Sequence, residues 1–308
     1  MTAVLEHSPG LTVFERGWLS ANNILFVGEA GTALVDSGYH SHGDQTLALV
    51  GHALAGRPLD LLVNTHLHSD HCGGNAALQA AYSALRTLIP PGHAAQVRDW
   101  DENALTYAPT GQHCPRFAFD DLLRPGTEIP LGAASWQVHA APGHDTHSVV
   151  LFEPASRTLI SADALWHNGF GVVFPEIEGE DGFDDVAATL DLIESLDAVT
   201  VIPGHGAVFT DVADALVRAR RRLDGFIANP QKHAAHAAKV LLKFKLLELQ
   251  RVPIDQFQRW AEGVRYFALL HRSVPDATAL TPWIAYLIDE LVRGGAACRN
   301  GPLLVNVG

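Results

Sequence analysis

The chain has 308 residues, of which 47% are hydrophobic and 18% charged, and its formal net charge is −13. This length predicts about two domains with a sizeable core. No apolar run approaches the ~18 residues of a membrane helix, and the acidic surplus argues against indiscriminate binding to nucleic acid. Residues 1–10 lack a basic segment followed by an apolar one, which predicts a cytoplasmic protein.

Charge is distributed unevenly along the chain. Residues 1–215 carry 27 acidic and 7 basic side chains, whereas residues 216–308 carry 7 acidic and 14 basic ones. This shift predicts a domain boundary between the two ranges. The basic part either recognises an anionic small-molecule substrate or packs against its acidic neighbour.

The first elements are predicted to be strands. Residues 11–14, 23–27 and 32–36 are apolar runs separated by glycine-containing turns. Helical spacing over 45–55 and a further apolar run at 59–63 complete a strand–helix–strand unit. Such a unit predicts that this part of the sheet is parallel.

A group of metal-capable side chains follows the strand predicted at 59–63. His66, His68, Asp70 and His71 fall within six residues, before Gly73-Gly74 ends regular structure. His66 and His68 project to the same side if the backbone is extended. Histidine is the commonest metal ligand and a neighbouring carboxylate suits a borderline divalent ion, so this loop predicts a metal site.

The three cysteines show no paired spacing, which predicts free thiols. Cys72 adjoins the metal loop, and we interpret it as a small buried residue rather than a soft ligand. A helix at 76–84, a strand at 85–89 and a helix at 94–100 follow. Residues 101–125 are rich in proline and glycine, so His113 and Cys114 are interpreted as loop residues.

Three further donors each close a predicted strand. His144 follows the strand-like residues 135–139, Asp163 ends a β-branched run, and His205 follows an apolar strand at 201–203. Turn-forming residues flank each donor. The ends of strands in a rigid sheet are where a scaffold places a site.

With these motifs in order, residues 10–215 resemble the metallo-β-lactamase superfamily. The resemblance implies an α/β fold, a four-layer αββα sandwich, followed here by a mainly helical C-terminal domain. It implies a dinuclear site in which His66, His68 and His144 hold one metal. Asp70, His71 and His205 would hold the second, with Asp163 bridging. Asp36 would lie in a turn beneath the site and support it rather than bind metal.

The constellation also predicts a chemistry. Two divalent ions can share one water and lower its pKa toward ~7, so that a bridging hydroxide attacks a carbonyl carbon or phosphorus. Asp70 is the expected acceptor of the proton. Zinc suits these ligands best, with iron or manganese as alternatives.

The segment after Asp163 is predicted to be an exposed wall or lid facing the substrate, through Trp166, His167, Asn168 and Phe170. The acidic run at 176–185 is interpreted as a solvated loop leading into a helix at 186–196, rather than as a third metal site. His147 and His167 could orient a metal ligand, touch substrate or simply pack.

Helices are predicted at 211–227, 232–249, 254–261, 264–270 and 280–292. An Asn-Gly turn within 296–305 predicts a terminal β-hairpin, a pattern that resembles a winged-helix-like appendage.

The substrate is expected to be a small ester, lactone or thioester. The metal loop and helical C-terminal part are similar to glyoxalase II, from which Asp145-Thr146-His147 depart. A metal-dependent nuclease or phosphodiesterase and a mononuclear-iron oxidoreductase are the alternatives. A non-catalytic binding protein is disfavoured, because no ligand of the motif is missing.

Overall fold

The computed structural model describes residues 3–8, 10–29, 31–273 and 279–308. Seven strands form a first sheet in chain order. They are β1 (Ala3–Ser8), β2 (Leu11–Glu15), β3 (Asn23–Gly28), β4 (Gly31–Val35), β5 (Leu61–Val63), β6 (Arg86–Ile89) and β7 (Asp121–Leu122). The strands pair antiparallel up to β4 and parallel from there on. The parallel strand–helix–strand unit predicted from the sequence is therefore confirmed.

Five helices connect the strands of this first sheet. They are α1 (Gly43–Leu54), α2 (Ser69–Cys72), α3 (Asn75–Ala81), α4 (Ala94–Asp99) and α5 (Tyr107–Thr110). A 3-10 turn at His40–His42 precedes α1. The stretch 101–125 is mostly loop, as predicted, but it contains α5 and the short strand β7.

A second sheet has five strands in the order β12-β11-β10-β9-β8. They are β8 (Glu128–Leu131), β9 (Ala134–Ala140), β10 (Val149–Glu153), β11 (Thr158–Ala162) and β12 (Thr200–Pro203). Helices α6 (Phe174–Glu178) and α7 (Gly182–Ser195) join β11 to β12, which pair in parallel. Helix α8 (Val212–Ala228) follows and packs beside α7.

Alternation along the strands builds four layers, because successive side chains point to opposite faces. Val149 and Leu151 of β10 lie in the core between the sheets, whereas Val150 and Phe152 lie in the core that α7 and α8 cover. In β3, likewise, Ile24 faces the inner core while Leu25 packs towards α1. The predicted four-layer αββα arrangement is confirmed.

The C-terminal part is mainly helical, as predicted. It comprises α9 (Pro230–Leu249), β13 (Arg251–Pro253), α10 (Ile254–Gly263), α11 (Arg265–Arg272), α12 (Leu280–Arg293), β14 (Ala297–Asn300) and β15 (Leu303–Asn306). The predicted hairpin is β14–β15, and β13 adds a third strand. Helix α8 crosses residue 215 and packs on the second sheet, so the domain division there stays a prediction, as does the winged-helix-like character. Within the described ranges, no helix has the length and apolarity needed to span a membrane.

Candidate metal centre

All seven predicted metal donors lie at one edge of the two sheets. His66 and His68 follow β5, Asp70 and His71 lie in α2, and the other three follow strands of the second sheet. These three are His144 between β9 and β10, Asp163 directly after β11, and His205 after β12. Short strands ending side by side thus bring together residues from distant parts of the sequence.

Three histidines form the first group of donors. His66 Nε2 lies 3.1 Å from His68 Nδ1, which lies 2.8 Å from His144 Nε2. Their donor atoms all lie within 4.8 Å of one another. Ligand atoms around a tetrahedral zinc ion are about 3.3 Å apart, so the three nitrogens are arranged as ligands of one ion would be.

The second group consists of Asp70, His71, Asp163 and His205. Asp70 Oδ2 lies 3.1 Å from His205 Nε2. Asp163 faces both groups, because its Oδ1 is 3.3 Å from His71 Nε2 and its Oδ2 is 3.4 Å from His144 Nε2. This is the position that a bridging carboxylate would take.

The chemistry of these donors fits a divalent cation. Among the described residues, the buried Nε2 of His71 has no hydrogen-bond partner, although Asp163 Oδ1 lies 3.3 Å away. Burial and then the neighbouring imidazoles lower the pKa of His68 to about 4 and that of His66 well below its usual value. Both rings are therefore neutral at physiological pH, as metal ligation requires. Burial opposes protonation of His71, but Asp163 and Asp36 raise its pKa well above the usual value. These two carboxylates favour a positive charge beside His71, and a bound cation would supply it in place of a proton on Nε2.

Outer contacts orient the histidines. Asp36, which follows β4, accepts a hydrogen bond of 2.8 Å from His71 Nδ1 and is itself held by the main chain and hydroxyl of Thr65. The Val172 carbonyl accepts a 2.6 Å hydrogen bond from His144 Nδ1. Because both Nδ1 atoms carry the proton in these assignments, each Nε2 presents a lone pair to the cluster. Asp36 thus orients His71 through a hydrogen bond. This agrees with its interpretation as a residue that supports the site without binding metal.

Two glycines allow the donors to approach. A Cβ on Gly204 would lie 2.2 Å from Asp163 Oδ1, and one on Gly171 would lie 2.3 Å from His144 Nδ1. At either position a Cβ would force the neighbouring donor side chain to move. The glycine of the Pro203-Gly204-His205 motif is therefore explained by space for the neighbouring carboxylate.

A cavity of about 570 Å³ opens directly onto the cluster. Asp70, Asp163 and His205 line its floor. Its walls come from Trp18, α5, the segment 164–175, the loop after His205, and α9 through Val240, Leu241 and Phe244. A concave, largely apolar site with a few convergent polar groups is typical of small-molecule binding.

The family model for the metallo-beta-lactamase superfamily matches residues 16–205. The chain belongs to the metallo-beta-lactamase superfamily. A hydroxyacylglutathione hydrolase of Anaeromyxobacter dehalogenans is 31% identical over 294 residues, covering 92% of this chain and all of that protein. A beta-lactamase-like protein 2 homolog of Caenorhabditis elegans is 26% identical, covering 78% of this chain and 70% of that one. A beta-lactamase domain protein from Burkholderia ambifaria has the same fold (TM-score 0.60, 19% identity, 99% and 93% coverage).

In this member of the superfamily, three of the four predicted substrate residues line the cavity, namely Trp166, His167 and Asn168. Trp166 Nε1 also donates a 3.1 Å hydrogen bond to Asp163 Oδ1. The fourth prediction is wrong, because Phe170 is 1% exposed and lies in the core beneath α7 and α8. The segment is less exposed than expected, since Leu165 and Phe170 turn inwards to fill that core.

Trp18 and Arg222 line the cavity but were not predicted as substrate contacts. The Trp18 ring is 58% exposed and stacks on the His205 imidazole at 5.4 Å with an interplanar angle of 11°. Neither residue belongs to a motif, and each reaches the site only through tertiary packing. The sequence offered one weak signal for Trp18, namely a large aromatic residue in the connection between the strands predicted at 11–14 and 23–27.

The remaining polar candidates lie outside the two groups of donors. His147 packs against His93 at a ring distance of 4.6 Å. Cys72 and Cys114 are buried and free, with 3.8 Å between their sulfur atoms, and His113 packs on His40.

Asp145, where the sequence departs from glyoxalase II, places Oδ2 4.0 Å from His68 Nε2. In the acidic run, Glu178, Glu180 and Asp181 are exposed, and Asp184 and Asp185 lie in the first turn of α7. No third metal-capable group occurs within the described residues.

Proposed function

We propose that this protein is a dinuclear-metal hydrolase that acts on a small ester, lactone or thioester, with thioesters as the first choice. The observation that carries the proposal is that seven imidazole and carboxylate donors converge beneath one largely apolar cavity, which five of them line. A non-catalytic binding protein would not need a complete set of ligands open to a substrate-sized space.

The donors would divide between two ions, with zinc proposed for both. His66, His68 and His144 would hold the first, and Asp70, His71 and His205 the second, with Asp163 shared. When bound, such ions supply an activated water and polarise the oxygen that gains charge. The histidine-rich donor set favours zinc over iron or manganese.

Asp70 is proposed to accept the proton of the attacking water and pass it to the leaving group. Its side chain lines the cavity and its Oδ2 contacts His205 Nε2. Burial opposes ionisation of Asp70, but the hydrogen bond to His205 and the nearby imidazoles give a net lowering of its pKa. The carboxylate is therefore ionised at neutral pH and able to accept a proton.

Two observations support a small acyl substrate. A relative that is 31% identical over nearly the whole chain carries the name hydroxyacylglutathione hydrolase, which favours a thioester. The cavity is lined largely by apolar groups, whereas polynucleotide binding depends on many phosphate contacts. A nuclease or an iron oxidoreductase stays an alternative that the same assay would reveal.

The test is a substrate panel of thioesters, lactones, phosphodiesters and RNA, assayed with zinc-loaded protein. We expect turnover of a thioester or ester, and none by a variant with His66→Ala and His68→Ala purified in the same way. Turnover of RNA or a phosphodiester alone would contradict the acyl-hydrolase proposal. Oxygen uptake by protein with one iron per chain would point instead to an oxidoreductase.

A further inference from the structure

Arg222 differs from Arg218 and Arg220, two other arginines of α8. Arg218 pairs with Asp211 at 2.9 Å, and Arg220 pairs with Asp191 and Glu194 at 2.7 Å each. In these three ion pairs the arginines are neutralised by acidic neighbours. Arg222 makes no ion pair with a carboxylate in the described parts of the chain, and it lines the cavity.

The Arg222 guanidinium is held in place from several sides. Its NH2 donates a 2.6 Å hydrogen bond to His236 Nε2, and its NH1 contacts the Asn168 carbonyl at 3.4 Å. It lies 5.4 Å from the centres of the Phe170 and Phe226 rings, a cation–π distance. A Cβ on Gly169 would lie 2.8 Å from the Arg222 side chain.

His236, the hydrogen-bond partner of Arg222, does not compensate the positive charge of the guanidinium. Burial, and then the charge of Arg222, lower the pKa of His236 to about 3, so the imidazole is neutral and accepts at Nε2. Burial also lowers the pKa of Arg222, yet a guanidinium stays protonated in proteins. It has five N–H donors, and only two have acceptors among the described residues.

Within the described residues, Arg222 is the sole lysine or arginine that lines the cavity. The α9 side chains Val240, Leu241 and Phe244 line the same space with apolar surface. The Arg222 guanidinium thus lies beside an apolar surface. This combination suits a molecule with an apolar chain and a terminal carboxylate, because a guanidinium and a carboxylate can form two parallel hydrogen bonds.

We propose that Arg222, positioned by His236, binds a carboxylate at the end of the substrate remote from the bond that is cleaved. The chain between the two ends lies against Val240, Leu241 and Phe244. The substrate class is thus an acyl ester or thioester whose acyl chain ends in a carboxylate. Its cleavage is the proposed function on which this assignment rests, whereas carboxylate binding by Arg222 can be tested without turnover.

The binding test uses dicarboxylates of about five to ten carbons and their monoamides, titrated calorimetrically into zinc-loaded protein. For the best chain length we expect the dicarboxylate to bind roughly 10- to 100-fold more tightly than its monoamide. Arg222→Gln should reduce this ratio to within about twofold, and Arg222→Lys should retain part of it. Arg221→Gln is the matched control, since this exposed neighbour loses the same charge on the same helix and should keep the ratio.

A wild-type ratio near one at every chain length would overturn the proposal, as would an undiminished ratio in Arg222→Gln. If Arg222→Gln does not fold, Arg222→Lys supplies the comparison, and an undiminished ratio in that variant would overturn the proposal. The second measurement is kcat/KM for two thioesters of the best length, one ending in carboxylate and one in carboxamide, with the same preference expected. If no thioester is cleaved but the binding ratio holds, the proposed function fails and the carboxylate site stands.

Discussion

Replacing Asp36 by Asn tests whether the contacts behind the histidines control metal binding. Asp36 Oδ1 accepts from the Thr65 main-chain N–H at 2.9 Å, and its Oδ2 accepts from the Thr65 hydroxyl and from His71 Nδ1 at 2.8 Å each. In the variant, an NH2 group replaces one of these oxygens. If it faces His71, the imidazole must move its proton to Nε2, which points at Asp163 and would then have no lone pair for a metal.

The size of the effect follows from this loss. Removing an outer partner of a metal ligand typically costs 10- to 100-fold in affinity, or about 1.4–2.7 kcal/mol. The φ of Asp36 is 57°, a left-handed conformation that Asn tolerates, so the backbone should not change. We therefore expect zinc affinity, measured by competition with a chromophoric chelator, to fall within this range.

Asp60→Asn provides the matched control. Asp60 Oδ2 also accepts from the main chain and hydroxyl of a threonine, Thr32, at 2.9 and 3.1 Å, but it contacts no imidazole within the described residues. Its zinc affinity should match that of the wild type. Unchanged affinity in Asp36→Asn, or an equal loss in Asp60→Asn, would refute the reasoning.

Three further predictions concern the cluster and the cavity. Asp70→Ala should lower kcat by roughly 10²- to 10⁴-fold, the usual size of a general-base contribution, and near-wild-type turnover would remove its assigned role. Gly204→Ala should reduce bound metal measured by mass spectrometry because its Cβ would strike Asp163. Gly17→Ala is the control and should not reduce bound metal, because a Cβ on Gly17 would meet open space. Equal losses of metal in the two variants would contradict the steric argument. Trp18→Ala should raise KM several-fold with little change in melting temperature, because the ring is exposed beside the cavity; an unchanged KM would show that substrate does not touch it.

The sequence was most informative where function depends on local motifs. The resemblance to the superfamily implied that the seven donors meet. The residues support this, because the loop with His66 to His71 and the three later donors follow apolar runs, and strand ends lie side by side at a sheet edge. The four layers were implied by the resemblance to the superfamily, whereas the parallel crossover could be predicted from the apolar pattern of its strands and helix. The hairpin β14–β15 follows from its Asn-Gly turn.

The shape of the cavity could not be predicted in this way. Trp18, Arg222 and His236 lie far apart in the sequence, and no periodicity or spacing links them. Arg222 and His236 reach the cavity because α8 and α9 pack on the segment after Asp163. Trp18 reaches it from the connection before β3, where its ring packs on Trp166 and His205. Local propensity encodes neither contact. The prediction for Phe170 was wrong for a different reason. An apolar residue in a connection was expected to be exposed, but its ring packs in the core beneath α8.

The sequence left two interpretations of the basic C-terminal part, and the contacts separate its residues. Arg220 pairs with Asp191 and Glu194 of α7, and Arg218 pairs with Asp211, which precedes α8. These ion pairs agree with packing against the acidic part. Arg222 has no such partner among the described residues and lines the cavity. Charge composition alone could not make this distinction, because it depends on which face of α8 each arginine occupies.

The proposed hydrolytic function requires the seven donors to hold two metal ions. The most direct measurement is the metal content of the purified protein after reconstitution with zinc and removal of the excess, by inductively coupled plasma mass spectrometry. We predict two zinc ions per chain. A maximum of one ion, or no retained metal, would contradict the dinuclear site and the hydrolytic mechanism that depends on it.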